Sequence, residues 1–247
     1  MLDYMANVLK LPHWNCKEWC WLCNCSRTNN ARSFKDVCDE PGWTEKTLDQ
    51  MEAEQSKHPF FTSIPGPIGG LRVGLDILHT VDLGFAGTLC SSVLNHWTSG
   101  RKREEQVADI WNMVREAYDK LRTGDRLNNL NLGTFIHGRP ARPEMKTKAS
   151  ETRHLVPAMA IVARRRGVRA AVQRHCAEAL EHLARFYVIC EGQGMFMEEA
   201  AAADAFEQMK QSLQHYAWLH MHFSKLSPES GMFPVRPTFH WRYHIGA

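Results

Sequence analysis

The spacing of apolar residues changes character near Leu75. Before that point neither a helical nor an alternating period holds for long. Residues 1–14 read as a short amphipathic piece ending at Pro12, His13 and Trp14, and residues 15–43 as a cysteine- and tryptophan-rich knuckle. A polar helix is expected over 44–56, capped by Thr44. From His58 to Gly70 the residues Pro59, Pro65, Gly66, Pro67, Gly69 and Gly70 argue against regular structure.

Beyond Leu75 the pattern is helical. Thr80 to Trp97 is apolar on most sides, which predicts a buried helix. Arg101 to Arg122 is amphipathic, with Val107, Ile110, Trp111, Val114, Tyr118 and Leu121 on one face. A loop rich in Asn, Gly and Arg follows over 123–142. Further helices are expected over Lys148–Arg166, with a kink at Pro157, over Val168–Cys190 and over Glu198–Phe223, before an extended tail from Pro228 to Ala247. Val172, Cys176, Ala179, Leu183, Phe186 and Tyr187 mark the buried stripe of the second of these. No internal repeat and no run of alternating strands is visible. The fold class expected is mainly α.

Composition adds less than pattern. In 247 residues, 44% hydrophobic and 23% charged are ordinary values for a globular chain. The net charge of +3 does not announce a nucleic-acid partner. Its distribution says more. Arg139, Arg142, Lys146, Lys148, Arg153, Arg164, Arg165, Arg166, Arg169 and Arg174 crowd one stretch that only Glu144 and Glu151 offset. Such a stretch is either a solvated face or a phosphate track. No run is long enough for a membrane span, and Asp3 and Lys10 with no long apolar run between them lead one to expect no signal peptide at Met1–Leu11. A reducing compartment is expected.

The cysteines point to metal before disulfides. Four of the eight fall between Cys16 and Cys25, whereas a disulfide scaffold spreads its cysteines among loops. Cys20 and Cys23 are separated by two residues, so both sulfurs can turn toward one zinc ion. Cys16, Cys25, Cys38 and His13 lie near enough to add ligands. At the other end, His240 and His244 are four apart and could share a metal if helical. Asp76 and His79 lie about one helical turn apart and can present a carboxylate and an imidazole on one face, or simply cap a helix. Glu151 suits either the first turn of a helix or a divalent cation.

Taken in order, these residues resemble the catalytic region of the CACTA, Plavaka and related transposases. The matching motifs are Cys20-Trp21-Leu22-Cys23, then Asp76-Ile77-Leu78-His79 within the phrase Leu75 to Gly84, then Lys148-Ala149-Ser150-Glu151-Thr152-Arg153, and a tail echoed by Arg236, Pro237, His240 and His244. The resemblance implies an RNase H-like transposase core, of which this chain would supply the helical C-terminal part and the insertion region, with a small zinc knuckle near its start. It implies three regions: 1–70, the end of the core with the knuckle; 71–145, a helical insertion; and 146–247, the helix bearing the catalytic glutamate together with the C-terminal helical region. Asp76 and His79 would be the family signature. Glu151 and Asp3 would be metal-binding carboxylates, with magnesium the ion in the intact family enzyme.

The carboxylate on an early strand has no counterpart here, so the expectation is a catalytically incomplete fragment with structural zinc. It would be nuclear, and would bind DNA weakly and without sequence preference through Arg153, Arg164, Arg165, Arg166 and Arg169, as a monomer or a homo-oligomer. Two other readings compete. One is a non-enzymatic zinc-dependent interaction module. The other is an unrelated metal-dependent hydrolase using Asp76, His79 and Asp82.

Overall fold

A computed structural model describes residues 17, 20, 23–36, 41–47, 49–50, 53, 78–100, 102–137, 142–193, 197–226, 231–236 and 239–240. The chain divides into two compact units, Met1–Asp76 and Ile77–Ala247. The architecture is mainly α, as the periodicity leads one to expect.

In the first unit, side chains bonding to backbone do much of what helices and sheets do elsewhere. Its described regular structure is a 3₁₀ turn at Asn30–Arg32, helical residues at 49, 50 and 53, and isolated bridges pairing Cys23 with Glu45 and Ser26 with Ser33. The Asn29 side chain accepts from the Ala31 N–H at 3.0 Å and caps the turn. Buried Ser26 accepts from the N–H groups of Thr28 and Asn29. Asn24 and Thr44 exchange two hydrogen bonds of 2.9 Å. Trp43 is buried and donates its indole N–H to the Asp36 carbonyl at 2.9 Å. Gly42 beside it is obligatory for space: a Cβ there would lie 1.8 Å from the Ala31 carbonyl oxygen. The helical cap is Thr47, not the expected Thr44. Thr47 Oγ1 accepts from the Gln50 N–H, while Gln50 Oε1 accepts from the Thr47 N–H.

The second unit begins with a π-helical segment, Leu78–Ala86, that runs into α1, Gly87–Trp97. α2 spans Arg103–Leu121, and its described buried face is Val107, Ile110, Val114, Ala117 and Tyr118. A short turn α3, Leu132–Phe135, leads into a two-stranded antiparallel ribbon, β1 Ile136–His137 with β2 Arg142–Pro143. The long helices α4 (Ala149–Arg166), α5 (Ala171–Glu191) and α6 (Glu199–Leu226) complete it. α5 lies between α4 and α6, and α4 also packs on α2 and on the π-helical segment.

The helices bury most of the stripes their sequences announce, though Leu121 is exposed and Trp111 and Val172 are only half-buried. Cys176, Ala179, Leu183, Phe186 and Tyr187 are buried along α5. α4 spans its full length with Pro157 inside it. The centre of the unit is aromatic: Phe85, Tyr216 and Phe239 pack edge to face, with centroids 5.0–5.5 Å apart.

The tail is where pattern reading fell short. Phe233, in the left-handed region at φ 51°, is fully buried. It stacks on Phe223 and meets the edge of Tyr216. The Tyr216 hydroxyl donates to the Pro234 carbonyl at 3.0 Å. Burial of Phe233 and Phe239 offsets the cost of ordering this segment, by about 2–3 kcal/mol per ring.

Candidate metal centre

The knuckle holds the clearest site for an ion. Cys20, Cys23 and Cys25 are all buried, their sulfurs lie within 4.8 Å of one another, and none is in a disulfide. Local structure fixes each of them. Cys23 is held by its bridge to Glu45, and Asn24 beyond it by Thr44. The Cys20 carbonyl accepts from Lys46 Nζ at 3.2 Å. The Cys25 backbone N–H donates to Cys23 Sγ at 3.4 Å, a bond that favours thiolate over thiol.

Without a cation the cluster resists ionising. Hydrogen bonding to Cys20 and Cys25, then burial, push the Cys23 thiol far above its ordinary range. The bond with Cys20 dominates at Cys25, where burial adds to it and the bond with Cys23 opposes it; the net effect is a rise to about 12. A divalent cation reverses this balance, because it supplies the positive charge that three adjacent thiolates lack. A tetrahedral zinc with ~2.3 Å bonds needs sulfurs about 3.8 Å apart. The observed upper bound of 4.8 Å on the sulfur separations is compatible with that. These buried cysteines could therefore hold a metal such as zinc.

The other residues singled out from sequence fall in different places. Glu151 stands in the first turn of α4, where its Oε2 accepts from the Lys148 N–H at 2.9 Å. It is capping the helix. Among the described residues it belongs to no group of three or more possible metal ligands. Asp3, Asp76 and His244 lie outside the described residues, as do His13, Cys16 and Cys38; His79 falls in the π-helical segment, its side chain not described. His240 is buried in the second unit.

The arginines are largely engaged within the second unit. Arg164 pairs with Glu178 at 2.9 Å and also with Glu181, and Arg165 pairs with Glu116 at 2.7 Å. Arg166 lies over the Trp97 ring. Arg169 is exposed.

Arg153 has the most structural role. Its guanidinium meets the Asp82 carboxylate at 2.7 Å, and the Tyr187 hydroxyl donates to the other Asp82 oxygen at 2.7 Å. The Asp82 side chain is only 1% exposed. The bond to Asp82 raises the Arg153 pKa further, while burial and then Asp82 push Tyr187 well above its ordinary value. Sequence reading missed this triad as a unit. Arg153 and Tyr187 stand 71 and 105 positions from Asp82 along the chain, and no local pattern joins them.

Comparison with family models, with curated proteins and with solved structures finds no match.

Proposed function

We propose that this chain is a zinc-dependent, non-catalytic protein of transposase descent, in which Cys20, Cys23 and Cys25 hold a structural ion. The observation that carries the zinc is the convergence of three buried thiols on one point. An ion held there would stabilise the described segment around the cysteines, whose regular structure is a 3₁₀ turn and isolated bridges, since ligand deprotonation and metal binding are coupled to folding. A fourth donor completes the tetrahedron.

The transposase descent rests on the ordered motifs, including a Lys-Ala-x-Glu-x-Arg phrase at the start of α4. The RNase H-like core and a nuclear site of action belong to that same proposal. The absence of catalysis is supported by the role of Glu151, whose carboxylate is occupied in capping α4. Phosphodiester cleavage by this superfamily needs several carboxylates converging on magnesium.

The test is cobalt substitution. The intact chain should bind Co²⁺ with an intense thiolate-to-metal charge-transfer band, displaced by about one equivalent of Zn²⁺. Cys23→Ser should abolish the band and expose residues 17–47 to protease. Absence of that band in the wild-type protein would defeat the proposal.

A further inference from the structure

We propose that α5 and α6 carry a second, independent metal site, formed by Glu178, His182 and His215, for a divalent transition-metal cation of the Zn²⁺, Co²⁺ or Ni²⁺ kind. One ligand atom from each residue lies within 4.8 Å of the others. Glu178 and His182 are four apart on α5 and so share a face, and His215 meets them from α6. The rings of His182 and His215 are nearly parallel, 14° apart with centroids at 5.7 Å. Two imidazoles and one carboxylate suit borderline cations. With ~2.1 Å bonds, tetrahedral ligand atoms would sit about 3.4 Å apart, so modest side-chain rotation closes the site.

What distinguishes this cluster from a chance meeting of polar side chains is its support. His182 Nδ1 is 2.8 Å from Gln208 Oε1, an acceptor, so the ring donates from Nδ1. Its Nε2 then keeps a lone pair, and that is the atom 4.0 Å from Glu178 Oε2. Gln208 is itself oriented, because its amide nitrogen donates to Asp204 Oδ1 at 3.1 Å. Carboxylate, amide and imidazole thus form the kind of relay that fixes the tautomer of a metal-binding histidine. His215 is backed in turn by His175, with the two Nδ1 atoms 2.8 Å apart, and His175 is stacked on Trp218 at 3.9 Å.

Arg164 is the opposing charge. It engages Glu178 through Oε1, leaving Oε2 toward His182, and it is shared with Glu181. With three protein ligands, the remaining coordination position is open to water or to a small anionic or neutral donor. The ion would clasp α5 to α6.

The measurement uses the full chain with its thiolates already saturated with Zn²⁺, titrated with Co²⁺ alone. A second equivalent should bind, with weak visible absorption and no thiolate charge-transfer band. Glu178→Gln and His182→Ala should each weaken that binding by more than about tenfold, and Gln208→Ala by about tenfold through the lost orientation of His182. His154→Ala, on α4 and outside the cluster, should leave it unchanged. Circular dichroism in chelator checks that each variant keeps its helices, and Glu178→Gln, which preserves shape, is decisive if His182→Ala does not fold. No second equivalent, or one indifferent to Glu178→Gln and Gln208→Ala, would overturn the proposal. Either result leaves the thiolate site of the first unit to stand or fall on its own test.

Discussion

Replacing Arg153 with methionine should destabilise the second unit severely, although an arginine in a basic stretch reads from sequence as a surface residue. Met keeps the aliphatic stem and removes the guanidinium. Asp82 is then left with the Tyr187 hydroxyl as its remaining partner in a site where its side chain is 1% exposed. Breaking a fully buried pair by deleting one member costs about 3–5 kcal/mol. Arg153 is itself 34% exposed, so solvent screens part of the interaction, and about 3 kcal/mol is the reasonable figure. For a unit of this size that corresponds to a fall of roughly 6–12 °C in Tm.

Urea and thermal unfolding of zinc-saturated protein, followed by circular dichroism, measure it. The exposed Arg169→Met serves as control and should stay within about 0.5 kcal/mol of wild type. Asp82→Asn combined with Arg153→Met should be less damaging than the single changes summed, with a coupling of at least about 1 kcal/mol. If Arg153→Met matched the Arg169 control, the contact between Asp82 and Arg153 would contribute nothing to the fold and the reasoning would be wrong.

Acidification and DNA binding offer two more measurements. Burial, then the charge of Arg166 and of His222, holds the His96 pKa below its ordinary value. The unfolded chain therefore binds the proton more readily, and stability should fall as pH drops through about 6.5. His96→Gln should shrink the loss between about pH 7.5 and about pH 5.5; a stability that rises on acidification would contradict this. The transposase reading expects DNA contact from the basic stretch, and there the ion pairs of Arg164 and Arg165 leave Arg166, Arg169 and Arg174 better placed to meet phosphate. Weak, salt-sensitive binding should drop further in an Arg166→Ala, Arg169→Ala, Arg174→Ala variant than in Arg164→Ala. Equal losses, or no affinity at low salt, would show that these arginines form only a solvated face.

The helical character of the chain was legible because it is local. Residues such as Val107, Ile110 and Val114, or Cys176, Ala179 and Leu183, recur at the helical period, and burying such a stripe is what stabilises the helix. The Cys20–Cys23 pair was legible for a similar reason, since two intervening residues suffice to converge two sulfurs. The capping role of Glu151 was legible as one of two possibilities, and the 2.9 Å bond from the Lys148 N–H shows that it caps the helix.

Tertiary structure alone decided the rest. The pairing of Asp82 with Arg153 and Tyr187, the meeting of His182 with His215 and Gln208, and the return of Phe233 onto Tyr216 all join residues far apart in sequence. Local propensity carries no information about such partners. They are fixed by which helix faces pack together and by the demand that each polar group buried in that packing find a bond.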